Sequence, residues 1–190
     1  MIVECLVTTL DAEGRPNFAP MGVEWGEDQI VLKPYRETAT FRNLLLTPEA
    51  VVNLVDDVLY YVKGALTSPT FPWQPAVVVR GAVLEAACSW RELRVREAAT
   101  DDPRARFSCD VVHREVRREF LGYNRARAAV IEATILATRT RLLPIDEILA
   151  AYRRLQVIVD KTAGPAEREA MAMLTAHVKA AASIRESEKP

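Results

Sequence analysis

The hydrophobic period changes once along this chain, near Glu115, and that change limits the folds open to it. Before it, apolar runs are short and are punctuated by turn residues. After it, apolar residues recur at helical spacing over long stretches. Strand patterns followed by helix patterns point to an α+β architecture in which the two kinds of element are segregated. We therefore expect a β-rich part over residues 1–118 and a helical segment over residues 119–190.

Within the first part, Ile2–Thr9 reads as a strand, Asp11–Gly14 as a turn, Asn17–Trp25 as a second strand and Gln29–Lys33 as a third. Turns at this spacing suggest a small antiparallel barrel or sandwich. Thr38–Leu46 reads as a short helix capped by Thr38, and Ala50–Val55 as an apolar strand interrupted by Asn53. Val58–Ala65 fits a helix or a strand. Thr67–Pro75 is rich in proline and aromatic residues and reads as an ordered loop or lid. Ala76–Ala87 is the longest strand candidate, Cys88–Ala99 fits a polar-faced strand and a helix equally, and Ala105–Arg114 reads as a strand. Beyond the change of period, Ala126–Arg141 reads as a buried, alanine-rich helix. Ile145–Val159 and Ala166–Ile184 read as two more, and Arg185–Pro190 as a charged, frayed tail.

Composition removes several functions. With 49% hydrophobic and 27% charged residues the chain can bury a core, and its net charge of −1 supplies no global field for nucleic acid or acidic membranes. The three cysteines (Cys5, Cys88, Cys109) and two histidines (His113, His177) are isolated from one another, so we expect no metal site and no disulfide framework. Reduced thiols, no signal peptide and no apolar run long enough to span a bilayer suggest a cytoplasmic protein. No catalytic string such as GxSxG, HExxH, GxGxxG or a phosphate loop is present. Catalytic residues are not assignable from the sequence.

What remains is a binding pattern. Leu32–Leu45, LKPYRETATFRNLL, gathers Lys33, Arg36, Arg42, Thr38, Thr40 and Asn43 where a strand gives way to a helix. Helix starts leave backbone N–H groups free and carry partial positive charge, so such a corner can hold a phosphate. We read it as the phosphate grip of a flavin mononucleotide (FMN) site; the alternative is an ordinary corner with a solvated basic face. Thr8 and Thr9, with Ala19, Pro20, Met21 and Gly22 on the neighbouring strand, could let a planar ring lie against backbone, and Phe71, Pro72 and Trp73 could cap it. Asn53, a lone amide in an apolar run, could serve a ligand or satisfy a bulge. Asp56 and Asp57 form a turn or cap more readily than an acid/base pair. Arg125, Glu132 and Arg139 share one helix face, with Asn124 just before them, and charges on so apolar a helix should be paired.

The strings VTTLDAEGRPNFAPMGVEW, LKPYRETATFRNL, VVNLVDD, GYNRARAAVIEATILATRTRLL and KTAGPAEREAMAML together resemble domain-of-unknown-function family 447 over nearly the whole chain. That resemblance implies an FMN-binding split β-barrel, like those of pyridoxamine-phosphate oxidases and flavin reductases, followed by a C-terminal helical segment. It implies a homodimer with FMN at its interface. It also implies that Thr38, Thr40 and Asn43 lie near the phosphate, and that Thr8, Thr9, Pro20, Met21, Asn53 and Asp57 are further signature positions. In the helical part Asn124, Arg125, Glu132, Thr138 and Arg139 match. Lys33–Arg36 is more polar than the family's lead-in to the threonines, which leaves open whether Lys33 or Arg36 meets the phosphate. The resemblance supplies no reaction. An FMN-dependent oxidoreductase acting on a small substrate is one reading; a non-catalytic flavin carrier or sensor linked to one-carbon metabolism is the other.

Overall fold

A computed structural model describes residues 1–187. The predicted charged tail falls partly outside this range; within it, Arg185–Ser187 continue a helix. The chain forms two compact units, one comprising Met1–Asp56 and Ser68–Phe120, the other Asp57–Thr67 and the residues from Leu121 onward.

The first unit is a closed six-stranded antiparallel barrel. Its strands are β1 (Ile2–Leu10), β2 (Pro16–Trp25), β3 (Gln29–Leu32), β4 (Glu49–Leu54), β7 (Ser89–Ala99) and β8 (Arg106–Val116), in the order β1-β2-β3-β8-β7-β4, with β4 closing back onto β1. Helix α1 (Ala39–Leu46) lies between β3 and β4. Cys5, Val7, Val23, Ile30, Leu32, Val52, Leu93 and Phe107 fill the interior, and α1 adds Phe41 and Leu44. Alternation along β1 explains this: Cys5, Val7 and Thr9 share one face, Leu6 and Thr8 the other. Both faces are buried, so β1 reads as a continuous run rather than an alternating one.

The outward face is buried because the stretch from Phe71 to Ala87 lies over it. This region differs from the sequence expectation. Ala76–Ala87 is not one long strand; within it only β6 (Ala82–Leu84) is, paired with the short β5 (Trp73–Pro75), and residues 77–80 are bends. The valines Val77–Val79 have strand composition, but a strand needs a neighbour for its backbone. Here the N–H groups of Val77, Val78 and Val79 donate instead to the carboxylate of Glu92. Cys88–Ala99, open to two readings, is largely the strand β7. Phe71 is buried against Phe18, edge to face with ring centroids 5.3 Å apart.

The second unit is four helices: α2 (Val58–Leu66), α3 (Arg125–Ala137), α4 (Ile145–Thr162) and α5 (Pro165–Ser187). The ambiguous Val58–Ala65 is thus helical, begun by Asp57, whose Oδ1 accepts the Leu59 N–H. Its core joins Val58 and Val62 to Ala126, Ala129, Val130 and Ala133 of α3, Ile148, Tyr152 and Val159 of α4, and Met171, Leu174 and Val178 of α5. Alanine on α3 lets the helices approach closely. Tyr152 brings one polar atom into this core, and its hydroxyl donates to the Ala133 carbonyl at 2.7 Å. No helix among the described residues is long and apolar enough to cross a membrane.

Candidate functional site

The corner predicted to grip a phosphate is built as the capping rules require. Thr38 is extended at φ −83°, ψ 156°, and its Oγ1 accepts the Phe41 N–H while donating to the Tyr35 carbonyl. The N–H of Thr38 donates to Tyr35 and that of Arg42 to the Thr38 carbonyl. Among the described residues this leaves the N–H groups of Ala39 and Thr40 without a protein acceptor, although Thr40 is only 1% exposed. Two amides at a helix start, one of them buried and both unpaired, form an anion-receiving arrangement.

The cations around it differ. Lys33 pairs with Glu24, which also takes Arg106 at 2.9 Å. Hydrogen bonds from Lys33 first and Arg106 second hold the Glu24 carboxyl below its ordinary range. Lys33 is therefore committed to the barrel wall. Arg42 donates to the Glu37 carbonyl at 2.7 Å. The Arg36 side chain is exposed and meets no acceptor among the described residues. Arg104, on the neighbouring strand connection, donates to the Lys33 carbonyl and lies 5.3 Å over the Tyr35 ring.

Below the corner, Thr40 and Asn43 face the barrel. Asn43 Nδ2 donates to Thr9 Oγ1 at 3.1 Å, and Asn17 Nδ2 donates to Thr40 Oγ1 at 3.1 Å. Thr9, Asn17, Thr40 and Asn43 are thus one cluster tying α1 to the β1–β2 hairpin. Met21 packs toward the barrel interior, and Pro20 stands opposite Leu6 in the β1–β2 register. The space above Gly22 is filled by Ile2 and Glu4, whose atoms would lie 2.7 and 2.8 Å from an added Cβ.

Thr8 and Asn53 belong to a second cluster, on the outward face. Both are wholly buried. Thr8 Oγ1 donates to the Ala82 carbonyl, and Asn53 Oδ1 accepts the Leu84 N–H at 2.9 Å. Asn53 Nδ2 lies within bonding distance of the Leu6 carbonyl and Thr8 Oγ1. The two side chains fasten β6 to β1 and β4.

The remaining predicted residues lie in the helical unit. Asp57 caps α2 and Asn124 caps α3, the latter accepting from Ala126 and Arg127 while its amide donates to the Thr162 carbonyl. Arg125, Glu132 and Arg139 are exposed, contrary to the expectation that they would be paired. Helix α3 is buried on one side only, and these charges share the wet side. Among the described residues of this unit, Arg127 pairs with the buried Glu167 at 3.1 Å.

Residues 3–118 match the model described as the N-terminal domain of the protein of unknown function DUF447, and residues 124–176 match that of the protein of unknown function DUF447. The chain belongs to the DUF447 family. Its barrel and helices superpose on an FMN-bound DUF447 protein, MM1853 from Methanosarcina mazei, at TM-score 0.81 and 22% identity, covering 93% of this chain and 94% of that one. Nitrilotriacetate monooxygenase component B from Bacillus cereus matches at TM-score 0.52 and 20% identity, covering 63% of this chain and 71% of that one. An FMN-binding protein from Thermus thermophilus with bound p-hydroxybenzaldehyde matches at TM-score 0.52 and 18% identity over 64% and 75%. The DUF447 chain described here therefore has the FMN-binding split-barrel fold, extended by helices.

Asn17 and Glu92 of this DUF447 chain carry no site signal in their local sequence. Asn17 opens β2 and looks like a turn residue. Glu92 sits in SWRELRV, where an acid between arginines reads as solvent-facing. Its spacing is a sign of burial alone: two residues after Trp90, it shares that residue's face. Burial would raise its pKa, but the N–H groups of Val77, Val78 and Val79, with the Trp90 indole, outweigh that and hold it below the ordinary range.

Proposed function

We propose that this protein binds FMN through the barrel unit, with the phosphate at the start of α1, and moves hydride or electrons between a reduced donor and a small substrate. The observation that carries the reading is the pair of unpaired N–H groups on Ala39 and Thr40 beside the uncommitted Arg36. That donor set suits a phosphate ester: backbone amides supply direction and a guanidinium supplies charge. The fold likeness to FMN-bound MM1853 supports the same assignment.

When bound, FMN would supply the redox chemistry at its ring. The chain's own residues bind, orient and exclude water. Thr38 caps α1 and so fixes the direction of the free amides; Thr9, Asn17, Thr40 and Asn43 hold the helix against the barrel. Thr8 and Asn53 act at one remove by fastening β6, and Pro20 stands beside them on the same face. Among the basic residues, Arg36 meets the phosphate and Lys33 braces the wall through Glu24. Asp57, and Asn124 or Arg125 of a second copy, are the remaining proposed contact positions. Exposed Leu45 and Leu46 on the barrel unit support a homodimer, in which a second copy would help shield the cofactor.

The test is direct. Purified protein should be yellow or should take up added FMN stoichiometrically. The loaded protein, mixed anaerobically with NADH, NADPH or a reduced deazaflavin, should bleach with at least one donor. A colourless preparation that takes up no FMN defeats the reading; uptake without bleaching by any donor removes the oxidoreductase part and leaves a flavin carrier.

A further inference from the structure

The outward face of β4 and β7 carries Val51, Trp90 and Glu92, and it is covered by β6 through Val83 and by the segment at 76–81 through Val79. That segment is held in an uncommon way. Val77 N–H donates to Glu92 Oε1 at 2.8 Å; Val78 and Val79 donate to Oε2 at 2.6 and 3.0 Å. The Trp90 indole N–H reaches Oε1 at 3.4 Å, and the next amide along, Arg80, donates to Glu49 Oε2 at 2.8 Å. Four consecutive backbone amides are thus taken by two carboxylates of the barrel wall.

Little apolar mass backs them up. Val79 tucks in and Ala76 packs partly against the same cluster, while Val77 and Val78 are 67% and 48% exposed. Gly81 allows the close approach, since a Cβ there would lie 2.7 Å from Val51 Cγ2. The barrel ladders themselves use none of these bonds: β4 pairs with β7, and β7 with β8, through their own backbones. The charged neighbours are otherwise engaged. His113 stands opposite Glu92 in the β7–β8 register but turns to Glu115, Arg117 lies over the Trp90 ring, and Arg94 pairs with Glu49.

We propose that residues 76–81 are a strap latched by the Glu92 carboxylate, and that neutralising this one residue releases the strap while the barrel stays closed. Release uncovers the apolar surface of Val51, Val83 and Trp90. This makes the strap the piece of the barrel unit that opens at least cost, a regional opening rather than a global one. The proposal does not depend on the flavin reading.

The experiment compares the full wild-type chain with Glu92→Gln by residue-resolved amide exchange and by trypsin. Glutamine keeps the shape but offers one acceptor oxygen where the carboxylate offers two. In the variant, Val77–Val79 should exchange about 10- to 100-fold faster, the size expected for lost bonds to a charged acceptor, and the Arg80–Gly81 bond should become cleavable. Amides of β1 and β4 should keep their wild-type protection. Unchanged exchange at Val77–Val79 would overturn the latch. So would equal acceleration in β1 and β4, because the carboxylate would then support the whole barrel. Should the variant not fold, wild-type exchange in low denaturant decides: Val77–Val79 should exchange together, with weak denaturant dependence, ahead of the barrel strands. Exchange of those three only with global unfolding would refute the strap.

Discussion

The barrel unit and the helical unit bury different chemistry. Within the barrel unit lie Thr8, Thr9, Thr40, Asn43, Asn53, Asp56 and Glu92, all buried; the helical unit buries Thr134 and Glu167. The barrel's polar groups reach across the chain to particular partners: Asn43 to Thr9, Asn53 to Leu84, Asp56 to Arg118, Glu92 to the strap. In the helical unit Thr134 bonds within its own helix, Glu167 pairs with Arg127 and Tyr152 donates to the Ala133 carbonyl, while most of the core is alanine and valine packing. Buried polar groups cost stability unless paired, so they specify arrangement rather than supply bulk. The unit that holds the candidate site carries more of these long-range polar pairings.

That contrast can be tested from its largest expected effect downward. Leu174→Ala in the helical core should cost about 3 kcal/mol in urea denaturation, the middle of the range for a cavity-forming change. It should leave FMN affinity unchanged where the protein is folded. Asn53→Ala in the barrel should cost about 2 kcal/mol, because the Leu84 N–H is left buried without its acceptor. A loss well below 1 kcal/mol would break the claim that the barrel depends on its polar pairs. Arg36→Ala should weaken FMN binding about tenfold in fluorescence titration, while Lys33→Ala changes it less than about threefold. The reverse order would give the phosphate to Lys33.

Acid should act on both units. The Glu92 and Glu167 carboxyls are each held low in the folded state. Burial opposes this in both, but backbone amides outweigh it at Glu92, and Arg127 with nearby backbone N–H groups does so at Glu167. The stability they contribute is therefore present above the ordinary glutamate range of about 4.3 and is lost as pH falls through their folded values. Chemical denaturation midpoints should be flat near neutrality and should drop below about pH 4; Glu92→Gln should flatten part of that drop. The smallest change should be Thr134→Val, within about 1 kcal/mol of wild type, since its hydroxyl serves only the Val130 carbonyl one turn back. A cost equal to that of Asn53→Ala would erase the distinction between the units.

Local signals in the sequence were sound guides. Thr38 was legible as a cap and α1 as a helix because capping involves neighbours three residues apart. The β1–β2–β3 meander followed from turn residues, and α3, α4 and α5 from their period, whereas α2 was open to two readings. Ala76–Ala87 was misread because valine-rich composition is shared by strands and by any buried extended segment. What decided it was Glu92, whose role is set by folding. The exposure of Arg125, Glu132 and Arg139 was also invisible to a rule that counts charges on an apolar helix, since one wet side is enough to hold them.

By itself, then, the sequence determined the order and kind of most elements and the residues that start its helices, because those depend on contacts within a turn of chain. Which polar residues are spent and which stay free was settled by long-range packing: Lys33 on Glu24, Thr8 and Asn53 on β6, Glu92 on the strap, and the Arg36 side chain on no acceptor among the described residues. Most of these partners are brought together by barrel closure across long stretches of chain, and no local pattern encodes a pairing made at that distance.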